Sequence, residues 1–186
     1  MRCDDFNSRF ELQYICNIMG GVKSSLFLAI NSATVHNEVV IFEFESKSVH
    51  ANGATPGVYA RSEGGIAYKI FFKKKWLANR DEAAKILQNI KIGMKKSKKR
   101  FSDLNAIFTV TGPGGFTGLR VGIAIVNAIA WSQKIPVYHC DALLYSKEKI
   151  PDIIKSCKKS NLVKPFYLRE PQITKSNRHS FPLFHK

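Results

Sequence analysis

Residues Ala106 to Lys134 read AIFTVTGPGGFTGLRVGIAIVNAIAWSQK, which is an apolar run, a glycine-rich turn and a long apolar segment. The first run, Ala106 to Thr111, is β-branched and aromatic and stops at a glycine and a proline, a pattern typical of a buried strand. After the turn, apolar residues recur at helical spacing and predict a helix over Phe116 to Ser132. Because this helix is apolar on nearly every side, we expect it to be covered on more than one face.

The turn between the predicted strand and helix allows two interpretations. Its residues are Gly112, Pro113, Gly114, Gly115, Phe116, Thr117 and Gly118. Glycine-rich turns at a helix N-terminus can hold a phosphate with their backbone N–H groups. The turn lacks the lysine of a Walker loop, and Thr117 stands where a dinucleotide-binding fingerprint has its third glycine. Two interpretations therefore remain open. The turn is either a phosphate-binding loop of another kind or a tight connection between the strand and the helix.

The stretch from Gly112 to Gly122 reads GPGGFTGLRVG and resembles the GPGSFTGLRIG signature of the TsaB family, also called YeaZ-like. That family provides the dimerisation subunit of the bacterial tRNA threonylcarbamoyladenosine machinery. One departure lies inside the signature, where Gly115 stands in place of the usual serine. Glycine in place of a serine cap costs only about a few tenths of a kcal/mol, so we expect the turn to persist.

The resemblance implies an α/β chain with the ribonuclease-H-like, actin-like ATPase fold, a mixed sheet with helices packed on it. A weaker match at Lys164 to Pro171 contains the Pro-x-Tyr-Leu-Arg that closes many family members. We expect the actin-like domain over residues 25–144, after a flexible N-terminal extension over residues 1–24. Residues 145–186 are expected to be a truncated remnant of the second domain and a C-terminal tail, with that domain largely missing.

Other elements follow from apolar runs and capping signals. Strands are predicted at Leu26 to Ile30, Glu38 to Glu45, Ile66 to Leu77 and Ile135 to Cys140. Helices are predicted at Asn79 to Met94, with Asn79 as the cap, and at Asp141 to Lys149 and Asp152 to Lys159.

Composition limits the class of protein. The chain has 186 residues, 45% of them hydrophobic and 23% charged, which suits a folded domain. A formal charge of +15 favours a polyanionic partner, although genomes of biased composition also encode cationic proteins. The four cysteines, Cys3, Cys16, Cys140 and Cys157, lie far apart, which argues against a zinc site or a disulfide framework. No secretory signal or membrane-spanning run is visible, so we expect a cytoplasmic protein that does not contact a membrane.

The end of the first predicted strand bears on catalysis. In actin-like and sugar-kinase-like folds, to which the family is related, this strand ends in an aspartate that helps hold magnesium and nucleotide. Here the residue is Asn31, and an amide does not supply the negative charge that a hard cation requires. We therefore expect no metal site, no cofactor of the chain's own and no catalytic side chain, so that the chain is not itself an enzyme.

The resemblance implies a non-catalytic dimerisation or scaffold subunit that pairs with a TsaD-like transferase and supports it. It also implies contact with tRNA through the complex, a TsaE-like ATPase as a further partner, and a nucleotide at the interface with the partner subunit. A homodimer is expected when the partner is absent. Two rivals remain: an ATP-dependent phosphotransferase or ATPase of the same superfamily, and a basic RNA-binding module.

The family pairs through two helices from each protein, which here are the predicted helices after Asn79 and after the turn. The residues expected at the interface are Ala83, Leu87, Ile90, Met94, Gly118, Gly122, Ile125 and Ile129. Gly118 and Gly122 share a helix face and would let a partner helix approach closely, so a leucine at Gly122 should cost the lone domain little. Ala124 and Ala128 likewise share another face of the same helix. The alternative is that the glycines serve only the turn beside the strand and that Ala124 and Ala128 pack on the sheet.

Basic residues crowd the end of the first predicted helix, and Arg120 lies in the signature. The expected tRNA contacts are Lys95, Lys96, Lys98, Lys99 and Arg100. A structural explanation is equally available, since cations at a helix C-terminus complement the macrodipole.

Overall fold

The computed structural model describes residues 24–45, 60–61, 67–79, 81–142 and 157–168. Nearly all of the predicted N-terminal extension, most of the predicted helix Asp141 to Lys149 and the end of the C-terminal tail lie outside these residues. The domain boundaries therefore stay predictions.

The described strands form one seven-stranded mixed sheet with the order β3-β4-β2-β1-β5-β6-β7. The strands are β1 Ser24–Asn31, β2 His36–Glu45, β3 Ala60–Arg61, β4 Ala67–Leu77, β5 Leu104–Val110, β6 Val137–Cys140 and β7 Lys158–Ser160. Strand β1 pairs antiparallel with β2 and parallel with β5, and β5 pairs parallel with β6. This mixed sheet, with two helices packed on it, has the α/β architecture that the signature implies.

Two helices pack on the sheet and on each other. Helix α1, Glu82–Ser97, follows β4, and helix α2, Phe116–Gln133, follows β5. Helix α1 contacts β2 and β4, whereas α2 contacts β5, β1 and β6. A short 3-10 helix, Phe101–Asp103, leads into β5. No helix within the described ranges combines the length and the apolar character needed to cross a lipid bilayer.

Both faces of the sheet carry buried side chains. Phe27, Phe42, Phe44 and Phe108 form an aromatic cluster in which Phe27 lies 5.5 Å from Phe42 and 5.5 Å from Phe108 between ring centroids. Because side chains alternate along a strand, Ile41 lies on the opposite face, where it contacts α1 at Gly93. The core therefore extends through β1 and β2 to both sides of the sheet.

The apolar residues Ala83, Leu87, Ile90 and Met94 are predicted by their spacing to share one face of α1, and this prediction is wrong in part. The helix begins at Glu82, and its N-cap is Asp81 rather than Asn79. Its buried side includes Ile86, Ile90 and Met94, whereas Ala83 and Leu87 are exposed. The reason is Gly93, whose missing Cβ would lie 2.6 Å from Ile41 Cδ1 and 2.7 Å from Phe72 Cδ1, so the helix approaches the sheet on this side.

Two strands were not predicted. The predicted helix Asp152 to Lys159 is wrong at its end, where Lys158 and Lys159 belong to β7 and pair with β6. The second is β3, which has two residues and pairs with β4. Such short polar strands have no apolar alternation from which the sequence could reveal them.

Candidate functional site

The signature turn joins β5 to α2 at the carboxyl end of the parallel strands. Thr111 N–H donates to Cys140 O at 3.0 Å, and Ala142 N–H donates to Gly112 O at 2.9 Å, so backbone bonds fix both sides of the turn. Gly112 has φ +124°, a conformation that side chains rarely adopt. The local sequence thus requires a glycine where the strand ends.

Three further glycines of the signature, Gly114, Gly118 and Gly122, make room for the turn between β1 and β2. A Cβ on Gly114 would overlap the Ala33 carbonyl, and one on Gly122 would overlap the Ser32 hydroxyl. Gly118 faces the same turn, since its Cβ would lie 3.1 Å from Ser32 O. In the structure, these three glycines therefore make room for the turn between β1 and β2 of the same chain.

Asn31 shapes the turn that the glycines enclose. Its side chain is buried, and its Oδ1 accepts a hydrogen bond from Ala33 N–H at 3.0 Å. Gly115 N–H in turn donates to Ala33 O at 3.2 Å, so at least this amide of the signature turn is engaged within the chain. Among the described residues, no group of three or more His, Cys, Asp or Glu side chains converges as a metal site would require.

The two stretches that carry the family resemblance lie against each other. Phe166 N–H donates to Thr111 O at 2.7 Å, and Arg120 Nε donates to Tyr167 Oη at 2.7 Å. The Phe116 and Tyr167 rings lie 4.9 Å apart, and the Arg120 guanidinium lies 3.7 Å from the centre of the Phe116 ring. The C-terminal stretch therefore completes a partly exposed aromatic and arginine cluster at the start of α2.

A second attachment holds this segment to the middle of α2. Asn127 Nδ2 donates to Val163 O at 2.9 Å, and Val163 N–H donates to Asn127 Oδ1 at 3.0 Å. An asparagine in the apolar middle of α2 is the signal from which this contact could have been found, because a partly buried polar side chain needs a partner.

The residues predicted at a partner interface divide into three groups. Ile90, Met94 and Gly122 are buried within the chain, so their assignment to a surface is wrong. Gly118, Ile125 and Ile129 are half-buried, while Ala83 and Leu87 are exposed. The expectation that a leucine at Gly122 would cost little is also wrong, because Ser32 occupies that space.

Exposed apolar residues on the two helices, here called the exposed apolar stripe, include two of the predicted interface residues, Ala83 and Leu87. On α2 it consists of Ala124, Ala128 and Trp131, and on α1 of Ala83 and Leu87. Trp131 is 85% exposed and Leu87 is 46% exposed, which is unusual for side chains of this size. Trp131 was missed because its neighbours in sequence did not distinguish the buried from the exposed side of an all-apolar helix.

Only part of the basic cluster at the end of α1 is exposed without an ion pair to an acidic side chain among the described residues. Lys99 Nζ lies 3.1 Å from Glu43 Oε1, and Arg100 lies 3.3 Å from Asp103 Oδ1. The Arg100 backbone N–H, which donates to Asp103, holds the pKa of that carboxyl below its ordinary value. Lys95, Lys96 and Lys98 are exposed. The cluster thus consists of three exposed lysines and two basic side chains, Lys99 and Arg100, that form ion pairs with acidic residues.

Comparison with known proteins finds relatives with two names. A family model described as TsaD, tRNA N6-adenosine threonylcarbamoyltransferase, matches residues 76–155. The tRNA threonylcarbamoyladenosine biosynthesis protein TsaB of Buchnera aphidicola subsp. Schizaphis graminum is 28% identical over 126 residues, which are 68% of this chain and 49% of that protein. A tRNA N6-adenosine threonylcarbamoyltransferase of Vesicomyosocius okutanii is 31% identical over 101 residues, or 47% of this chain and 30% of that protein.

Among solved structures, YeaZ from Pseudomonas aeruginosa superposes with a TM-score of 0.47 and 22% identity, over 66% of this chain and 47% of that one. The chain spans about half the length of the first relative named above. The signature at the start of α2 and the match to a relative named TsaB point to the same family. Over the matched residues, the chain is therefore similar to proteins of the TsaB/YeaZ-like family.

Proposed function

We propose that the chain is a non-catalytic dimerisation subunit of a tRNA threonylcarbamoyladenosine modification complex, in which it pairs with a TsaD-like transferase. The names of its relatives supply the reaction, and the exposed apolar stripe on α1 and α2 is the observation that carries the proposal. The complex would act on tRNA in the cytoplasm.

The stripe has the composition of a helix-packing surface. Helices on the surface of a monomer normally present polar residues to water. Ala124 and Ala128 are small, and they follow one another at a spacing that forms a ridge along α2. Trp131 lies one turn further and supplies a large apolar side chain of the kind that often dominates binding energy.

The non-catalytic role is supported by the environment of Asn31. Its side-chain oxygen accepts the Ala33 amide, and the Gly115 amide of the signature turn is bonded to the Ala33 carbonyl. Both groups therefore stabilise a turn within the chain, in a place where an actin-like ATPase would hold magnesium and phosphate. Any nucleotide of the complex would lie at the interface with the partner, and a TsaE-like ATPase would join through it.

Co-expression with the TsaD-like protein of the same genome, followed by size-exclusion chromatography and calorimetry, tests the pairing. We expect one complex of both chains, and a homodimer through the same stripe when the partner is absent. Ala128→Glu should weaken the complex at least tenfold, because it places a charge in an apolar interface that excludes water.

Ile70→Glu is the matched control. Ile70 is 41% exposed and pairs with Phe42, on the face of the sheet opposite to α1. It should bind as the unmodified chain does. Equal affinity of both variants would show that the stripe is not the interface, and failure of the unmodified chain to bind the TsaD-like protein would overturn the proposed function.

A further inference from the structure

The last strand of the sheet brings two cysteines together. In the ladder between β6 and β7, Tyr138 pairs with Lys159 and His139 pairs with Lys158. The next position along the same register places Cys140 opposite Cys157. Residues directly opposite in an antiparallel pair have Cα atoms roughly 4.5–5.5 Å apart, which lies within the range that a disulfide spans.

The side chains of these cysteines are in contact. Cys140 is 5% exposed and Cys157 is 4% exposed, and both are present as thiols. A hydrogen bond between the two thiols, together with burial, raises the pKa of Cys157. Cys140 Sγ also lies 4.0 Å from Thr109 O, so the sulfur is held at the edge of β5. The pair is therefore preorganised within the folded chain.

We propose that Cys140 and Cys157 are an oxidisable thiol pair that forms one intrachain disulfide by exchange with a low-molecular-weight disulfide such as oxidised glutathione. The four cysteines lie far apart in the sequence, which argues against a disulfide framework. That argument considers only distance along the chain and not cysteines that strand pairing brings together. Here the pairing depends on β7, which the sequence did not predict.

The exchange proceeds in two steps that balance. When β7, the last strand in the sheet order, separates transiently from β6, one thiol becomes accessible and gives its proton to solvent. Its sulfur attacks glutathione disulfide, which forms a mixed disulfide and releases one glutathione thiolate that takes up a proton. The second protein thiol then loses its proton and attacks the protein sulfur of the mixed disulfide, which releases the second glutathione. Two protein thiols are oxidised, and one glutathione disulfide is reduced to two molecules of glutathione.

The modification would act on the segment that packs against the signature turn. Cys157 begins the described segment 157–168, in which Val163 bonds to Asn127 and Phe166 bonds to Thr111. A disulfide would fix the start of this segment to β6. It would also close a loop on the order of 15 residues, which constrains the unfolded chain and stabilises the folded one.

The test uses the full chain with Cys3→Ser and Cys16→Ser, so that only the proposed pair remains. The protein is equilibrated with glutathione mixtures of decreasing reducing strength, alkylated, digested and analysed by mass spectrometry. We expect a cross-link between Cys140 and Cys157, a rise in Tm of roughly 10 °C, and reversal of both by dithiothreitol.

The two single variants, Cys140→Ser and Cys157→Ser in the same background, are the controls. They should show no change in Tm across the glutathione series. The proposal is overturned if the folded protein retains two alkylatable thiols in oxidising glutathione, or if each thiol carries its own glutathione. A cross-link that forms only in denaturant and lowers the Tm would also overturn it, because the pair would then not be preorganised.

Discussion

Gly122 shows how a single residue connects the signature to the sheet. Its position lies on the buried side of α2, and the Ser32 side chain fills the space where a Cβ would be. The sequence indicates a close approach at Gly122, but the contact expected there is with a helix of a partner protein. The sequence does not reveal what approaches, because Ser32 lies far away along the chain and no local spacing relates the two residues.

We expect Gly122→Ala to lower the free energy of unfolding by about 1–3 kcal/mol, because the added methyl forces Ser32 and the β1–β2 turn to move. The higher helix propensity of alanine, worth about 1 kcal/mol, offsets only part of this cost. Denaturant unfolding monitored by circular dichroism measures the change.

Gly115→Ala is the control for this substitution, since a Cβ at that position would meet no heavy atom within 4 Å among the described residues, its chain neighbours and adjoining helix backbone aside. It should leave stability within about 0.5 kcal/mol. Ser32→Gly combined with Gly122→Ala should recover part of the loss, because the overlapping hydroxyl and Cβ are then absent. Equal stability of the Gly115 and Gly122 variants would contradict the close packing of α2 on the turn.

At the scale of elements, the long apolar runs predicted β1, β2, β4, β5 and α2 close to their observed bounds. The orientation of the helices was harder to predict. Helix α1 offers several apolar faces, and the choice between them depends on Gly93, which fits against Ile41 and Phe72. This choice is made by tertiary packing, so a pattern within the helix could not resolve it.

The C-terminal segment is an element without regular structure whose position depends on a few polar contacts. Asn127 makes two reciprocal hydrogen bonds with Val163, and its side chain is partly buried. We expect Asn127→Ala to lower the free energy of unfolding by about 1–3 kcal/mol, since it leaves the Val163 amide and carbonyl without these partners. Compared with the unmodified chain, the variant should show a larger increase in the rate of amide hydrogen exchange in residues 157–168 than in β1 and β2.

Gln133→Ala provides the comparison on the same helix. The hydrogen bond that the structure records for the Gln133 side chain goes to the adjacent Ser132, 3.2 Å away. This variant should exchange as the unmodified chain does. If Asn127→Ala leaves the exchange of residues 157–168 unchanged, the segment is held by the Tyr167 cluster and not by Asn127.

At the scale of the whole molecule, the formal charge of +15 is consistent with a polyanionic partner but does not locate it. At the end of α1, the structure indicates which lysines are accessible to a polyanion, because Lys95, Lys96 and Lys98 are exposed. Lys99 belongs to the same cluster in the sequence, yet it lies 3.1 Å from Glu43. Sequence could not separate these lysines, because Glu43 lies on β2, an element remote in the chain.

We expect the three exposed lysines to contribute salt-sensitive binding of tRNA within the complex. Replacing all three by glutamine should reduce the slope of log K against log salt by up to about 0.9 for each phosphate that is no longer neutralised, by analogy with B-DNA. Lys99→Gln is the matched control and should change the slope less, because its charge is already balanced by Glu43. Titration of tRNA into the complex with the TsaD-like subunit, at several salt concentrations, measures both slopes. An unchanged slope for the triple variant would mean that these lysines only complement the C-terminal dipole of α1, and the charge that attracts tRNA would then lie elsewhere in the complex.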